Sequence, residues 1–210
     1  MNDCCNDKSC AVELLRERQI GTLRIVLLIN AAMFVVELSA GLLADSIALL
    51  ADSLDMLGDA LVYGFSLYVV ALGPVWKARA ALMKAVVMAA FGLSVLAQAV
   101  YKMIFPELPG YFTMGGIGVL ALAANTYCFL LLWRHRGEDI NMDSVWLCSR
   151  NDLFANTGVL FAAWAVWYAA TPWPDILVGL LICGLFLHSA WQVIRQVYAA
   201  RLEIVQHGSE

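Results

Sequence analysis

At 210 residues the chain is 62% apolar and only 14% charged, with a mean hydropathy of +0.75, whereas a soluble domain is about 45–50% apolar and about 25% charged. The net charge of −4 says little about partners, because the arrangement of charges matters more than their sum, and no basic tract points to nucleic acid. The apolar residues fall in blocks near the ~20 needed to cross about 30 Å of hydrocarbon, which predicts an all-α, polytopic membrane protein with six transmembrane helices.

The N-terminus, MNDCCNDKSC, is polar and acidic and does not read as a cleaved signal peptide. Residues 1–20 are expected to form a cytoplasmic, cysteine-containing tail, ending in a short helix across AVELLRERQ. The pattern then predicts helices over about 23–43 and 46–72, joined by a tight turn at Ala44 and Asp45. GPVWKAR interrupts the pattern before a third helix over about 80–105. PELPGYF, with two prolines and a glycine, is a loop. A fourth helix over about 114–133, the charged loop RHRGEDINM, a fifth helix over about 143–170, the TPWP turn and a sixth helix over about 175–199 complete the chain. The expected division is a cysteine-containing tail over 1–20, a six-helix transmembrane domain over 21–200 and a short cytoplasmic tail over 201–210.

Lys and Arg set the orientation. Lys8, Arg16, Arg18 and Arg24 precede or open the first helix, Lys77, Arg79 and Lys84 surround the second connection, and Arg134 and Arg136 occupy the fourth. Arg195 and Arg201 lie near the C-terminal end, and the opposite side offers only Lys102. Both termini are therefore expected in the cytoplasm, and a multi-pass protein of the bacterial inner membrane is the expected setting. Trp76, Trp133 and Trp173 stand at span ends, as an interfacial belt requires.

An Asp at a helix centre costs roughly 2.5–3.5 kcal/mol on insertion scales, so acids within spans call for an explanation. The second helix holds Asp52, Asp55 and Asp59, which fall within about 60° of one another on one face. Asp45 shares that face nearer the outer surface, where the head-group region accommodates it. Pairing with bases cannot satisfy the set, because only Arg150 lies clearly within a span, and its ordinary role is to snorkel toward the cytoplasmic interface. On the fifth helix, Cys148, Asp152 and Asn156 follow i, i+4, i+8 spacing and form a second polar stripe. Facing each other, Asp55 and Asp59 with Cys148 and Asp152 make four ligands for one ion, with Asp52, Asn156 and Glu37 as accessory groups, while Cys148 can equally be read as a small buried hydrophobe. Hard carboxylates with one soft thiolate suit a borderline divalent ion such as Zn²⁺ or a softer one such as Cd²⁺. Such a site also takes up protons when the metal leaves.

Weaker signals remain. Asn30 and Glu37 share a face of the first helix and line an entry path or bind across helices. Asn125 and His188 read as structural hydrogen-bonding groups. Cys4, Cys5 and Cys10 crowd the tail and are suited to capturing a soft ion, without the spacing of a structural metal site. With Cys128, Cys148 and Cys183 in apolar segments, the six cysteines do not form an extracellular disulfide framework.

The stretch LINAAMFVVELSAGLLADSIALLADSLDMLGDALVYG resembles the first two helices of the cation diffusion facilitator family of metal/proton antiporters. DSVWLCSRNDLFANTGVLFAAW and PDILVGLLICGLFLHSAWQVIRQV are similar to its fifth and sixth helices. The resemblance implies a metal pair at Asp55 and Asp59 and a second pair, usually His then Asp, at Cys148 and Asp152. It also implies a homodimer, with the chain read as a short form lacking the family's cytoplasmic C-terminal domain. The function implied is secondary export of divalent cations, Zn or Cd in type, from the cytoplasm in exchange for protons. The metal is then cargo, and no prosthetic group is expected. Two rivals stand beside it. A membrane metal sensor or carrier working through the tail thiols would need no buried acids. A proton-coupled exporter of small organic cations would need aromatic residues around the acids, whereas Leu, Met and Gly flank Asp55 and Asp59. No nucleophile–base pair or cofactor motif supports an enzyme.

Overall fold

A computed structural model describes the backbone of residues 3–69, 74–133 and 140–207. Side chains are described at 20–61, 63, 64, 82, 83, 85–133, 152–188, 190, 191 and 195. Among these residues the chain is all helical: α1 (Asp3–Ala44), α2 (Ile47–Val69), α3 (Pro74–Ile104), α4 (Tyr111–Trp133), α5 (Ile140–Ala169) and α6 (Trp173–His207). Ile20–Ala44, Ala85–Ile104 and Tyr111–Trp133 are each long and apolar enough to cross a membrane, and Trp173–His188 is a shorter apolar stretch. The chain is a polytopic membrane protein.

The expected break near residue 20 is absent, and α1 runs unbroken from Asp3 to Ala44. AVELLRERQ is rich in strong helix formers and holds no proline, so nothing there stops the helix. Likewise α3 begins at Pro74 rather than near residue 80. Proline has no N–H to leave unsatisfied in a first turn, and its fixed φ suits that position. The side chains of Cys4, Cys5, Cys10, Trp76, Cys148 and Arg150, and the backbone of 134–139, lie outside the described residues.

The turn between α1 and α2 is built from three local devices. Asp45 adopts a left-handed φ of 55° just past the end of α1, and the Ser46 N–H donates to Gly41 O at 2.9 Å, closing the helix end. The Ser46 hydroxyl then accepts from the Leu49 N–H at 3.1 Å and caps α2. Lys102, at the end of α3, pairs with the Asp45 carboxylate at 2.6 Å and also donates to the Asp45 carbonyl. Gly110, which opens α4, donates its N–H to Ala44 O at 2.8 Å. Four helix ends therefore meet at the α1–α2 turn.

A fifth end joins them through Asp175, in the first turn of α6. Its buried carboxylate accepts from the Ser46 hydroxyl at 2.6 Å, the Ile47 N–H at 2.8 Å and the Ala48 N–H at 3.0 Å. A helix N-terminus presents unpaired N–H groups and a partial positive charge, so a carboxylate there is favourable. One turn on, Gly179 lets α6 press against the start of α2: a Cβ at that position would lie 2.7 Å from the Ile47 carbonyl carbon.

These contacts put α2 at the centre, packed against α1, α3, α5 and α6, while α4 packs against α1 and α5. The core follows from that position. Ile47, Ala48, Leu49, Ala51 and Leu54 of α2 are wholly buried with Val159 and Ala162 of α5. Helices in lipid gain little from hydrophobicity against one another, so close packing and interhelical hydrogen bonds hold the bundle. The Cys183 thiol donating to Gly92 O at 3.2 Å ties α6 to α3 in this way. On the outside, Leu43, Phe112, Phe154 and Tyr168 are exposed, as residues facing acyl chains should be.

Candidate metal centre

The central helix also carries three acids within an apolar stretch. Asp52, Asp55 and Asp59 are all buried, on the face of α2 that turns away from lipid. Asp152, in the first half of α5, is buried too. The packing of α2 on α5 brings one ligand oxygen from each of Asp55, Asp59 and Asp152 within 4.8 Å of the others. Two residues four apart on one helix therefore meet one residue of a facing helix, as the stripes in the sequence anticipate.

Neighbouring side chains hold this cluster in place. Tyr63, one turn beyond Asp59 and almost wholly buried, donates its hydroxyl to Asp59 Oδ2 at 2.8 Å. That contact was not foreseen; Tyr63 stands four residues after an intramembrane acid, and the i, i+4 spacing is its only signal. Asn156, one turn beyond Asp152, donates its amide to the Asp152 carbonyl at 2.8 Å. Cys128 of α4 is buried within electrostatic range of Asp59, though its sulfur is not among the converging atoms. Asn30 of α1 donates to Val26 O at 2.9 Å and approaches the Cys128 sulfur at 4.0 Å, so it serves packing between α1 and α4.

Not every acid of the stripe joins the cluster. Asp45 is half-exposed and held by Lys102 at the turn, so it is an anchor of the fold rather than a deeper member of the acid stripe. Glu37 and Asp52 are wholly buried and lie near Asp55, close enough for their charges to act on one another. Among the described residues neither has a hydrogen-bond partner for its carboxylate oxygens. Asn125 is buried, and its amide nitrogen has no hydrogen-bond partner among the described residues. His188 is exposed. The reach of Cys148 toward the cluster falls outside the described side chains.

Three buried carboxylates converging from two helices repel one another and are costly to desolvate unless cations or protons neutralise them. Such a cluster is therefore chemically suited to hold a cation or to exchange protons. Residues 23–200 match the family described as the cation efflux transmembrane domain. The chain belongs to the cation efflux family. Among curated proteins it is similar to the zinc transporter ZitB of Yersinia pestis, 32% identical over 92 residues, and to that of Yersinia pseudotuberculosis, 30% identical over the same length. Each match covers 41% of this chain and spans 28% of the length of the relative. The family is described by cation efflux, and the relatives are named as zinc transporters.

Proposed function

We propose that the protein exports divalent metal cations from the cytoplasm, of the Zn²⁺ or Cd²⁺ type, in exchange for protons. The observation that carries this reading is the convergence of Asp55, Asp59 and Asp152 within 4.8 Å in the bundle core. Oxygen ligands of Zn²⁺ sit at about 2.0–2.2 Å, so oxygens of a tetrahedral shell are about 3.4 Å apart. Side-chain rotations of little more than 1 Å would draw these three carboxylates onto one ion. Cys148, four residues before Asp152 on α5, is the proposed fourth ligand. The zinc named for the Yersinia relatives supports a borderline ion, and a thiolate in the set extends the range toward softer ones.

Proton exchange rests on the same chemistry. A divalent ion at the cluster balances most of the charge of three carboxylates, and its departure leaves anions in a medium that does not tolerate them. Protons from the far side replace the ion and ready the empty site for return. The test is metal flux in proteoliposomes holding the pure chain. Asp59→Ala should insert normally, because losing an intramembrane charge eases insertion, and should transport less than about a tenth as fast as the parent. Acidifying the receiving compartment at fixed membrane potential should speed export. Normal flux in a well-expressed Asp59→Ala protein would remove the cluster from the pathway, and flux blind to pH would make the protein a uniporter.

A further inference from the structure

The backbone sorts the buried polar groups into two layers. Chain direction shows that the C-terminal end of α1, the start of α2, the C-terminal end of α5 and the start of α6 share one end of the bundle, the end that the Lys and Arg distribution places outside. Asp55 lies about 12 Å from that end of α2, whereas Asp52 lies about 8 Å from it, and Glu37 lies about 10 Å from the matching end of α1. On α5, the step from Asp152 to Asn156 moves one turn, about 6 Å, in the same direction. Asp59 lies about 18 Å from the same end, so Glu37, Asp52 and Asn156 form the outer layer of one continuous polar column, with Glu37 about 2 Å and Asp52 about 4 Å outward of Asp55 and Asn156 one turn outward of Asp152.

What sets this layer apart is its lack of satisfied oxygen. Glu37, Asp52 and Asn156 are each 0% exposed. Both carboxylate oxygens of Glu37, both of Asp52 and the amide oxygen of Asn156 have no hydrogen-bond partner among the described residues. Buried polar atoms are nearly always paired, and an unpaired group needs an explanation such as an ion. The nitrogen of Asn156 is already committed to the Asp152 carbonyl, which leaves its oxygen as the free acceptor. Every unsatisfied atom of the layer is an acceptor, and none can satisfy another without a proton or a cation between them.

We propose that Glu37, Asp52 and the Asn156 amide oxygen form a second divalent-cation subsite, a transit station on the outward side of the Asp55–Asp59–Asp152 cluster. The proposal rests on that cluster being the main metal site. Two carboxylates neutralise one divalent ion, and an all-oxygen set with a neutral amide holds it less tightly than three carboxylates with a thiolate. Export needs such a gradient: binding strong enough to draw the ion from the inner layer and weak enough to release it outside. An ion arriving at the inner layer also repels one in the outer layer, which favours release.

Equilibrium Zn²⁺ binding to the full chain in lipid nanodiscs tests this, with Cys4, Cys5 and Cys10 replaced by Ser so that tail thiols add no sites. The parent should bind two ions per chain, one tightly and one weakly. Glu37→Gln with Asp52→Asn should lose the weaker ion alone, and Asp59→Asn should lose the tighter one. Asn156→Asp adds a third carboxylate to the outer layer and should tighten the weaker site about tenfold without touching the stronger. In flux assays Glu37→Gln should slow export about tenfold while the tight site stays intact. A parent that binds one ion, lost in Asp59→Asn and kept in the double variant, would overturn the subsite and leave the cluster standing. Loss of both ions in the double variant would overturn it too, since the pair would then merely support the cluster. An Asn156→Asp protein with unchanged binding would overturn the assigned layer. Two ions retained in Asp59→Asn would instead refute the main site.

Discussion

Replacing Asp175 with Ala should unfasten α6 from α2. The carboxylate carries three hydrogen bonds, from the Ser46 hydroxyl at 2.6 Å and from the Ile47 and Ala48 N–H groups at 2.8 and 3.0 Å. Hydrogen bonds to a charged group contribute about 1.5–3 kcal/mol each, so simple addition gives about 4.5–9 kcal/mol. That sum overshoots, because bonds sharing one acceptor are not additive and the bundle end lies close enough to water for partial replacement. Two N–H groups at the start of a buried helix still lose their partner, which places the expected loss at about 3–5 kcal/mol. On a unfolding equilibrium this is about a thousandfold at the midpoint of that range. Asp175→Asn keeps one acceptor oxygen and should lose only about 1–2 kcal/mol. Denaturant-driven unfolding of the purified protein in mixed micelles, followed by far-ultraviolet circular dichroism, measures both. An Asp175→Ala protein within about 0.5 kcal/mol of the parent would refute the latch.

Three further outcomes can be checked in the same preparations. Gly179→Ala would set a Cβ 2.5 Å from Ile47 Cγ2 and 2.7 Å from the Ile47 carbonyl carbon, and should destabilise by about 1–3 kcal/mol in the same unfolding assay. Backbone cannot swing aside as a side chain can, so repacking will not relieve it. Tyr63→Phe removes the hydroxyl that steadies Asp59 Oδ2 at 2.8 Å, and should weaken Zn²⁺ binding about tenfold in a direct titration. Cys148→His should raise the ratio of Zn²⁺ to Cd²⁺ flux and Cys148→Ser should weaken Cd²⁺ more than Zn²⁺, while an unchanged ratio in both would remove Cys148 from the ligands.

Much of the candidate site was written in the sequence because helical spacing is local. Asp52, Asp55 and Asp59 on α2, and Cys148, Asp152 and Asn156 on α5, share faces by the 3.6-residue period alone. Acids inside apolar blocks are expensive, so two such faces were expected to meet, and Asp55, Asp59 and Asp152 do. Lengths of apolar sequence likewise gave six helices, with errors at their polar starts, where a continuing helix costs little and leaves no apolar signature.

Tertiary structure alone decided where each acid is held. Asp45 lies on the same stripe as the others, yet Lys102, 57 residues away, holds it at the turn. Asp175 reads in sequence as an acid in the first turn of its own helix, but its carboxylate serves the N-terminus of α2. Neither pairing has a period, since each depends on how helix ends are staggered, and side-chain packing sets that stagger. The same stagger brings Glu37 of α1 within electrostatic range of Asp52 of α2, and Asp152 of α5 level with Asp55 and Asp59. A helix encodes its own faces, but the height at which it meets its neighbours belongs to the bundle.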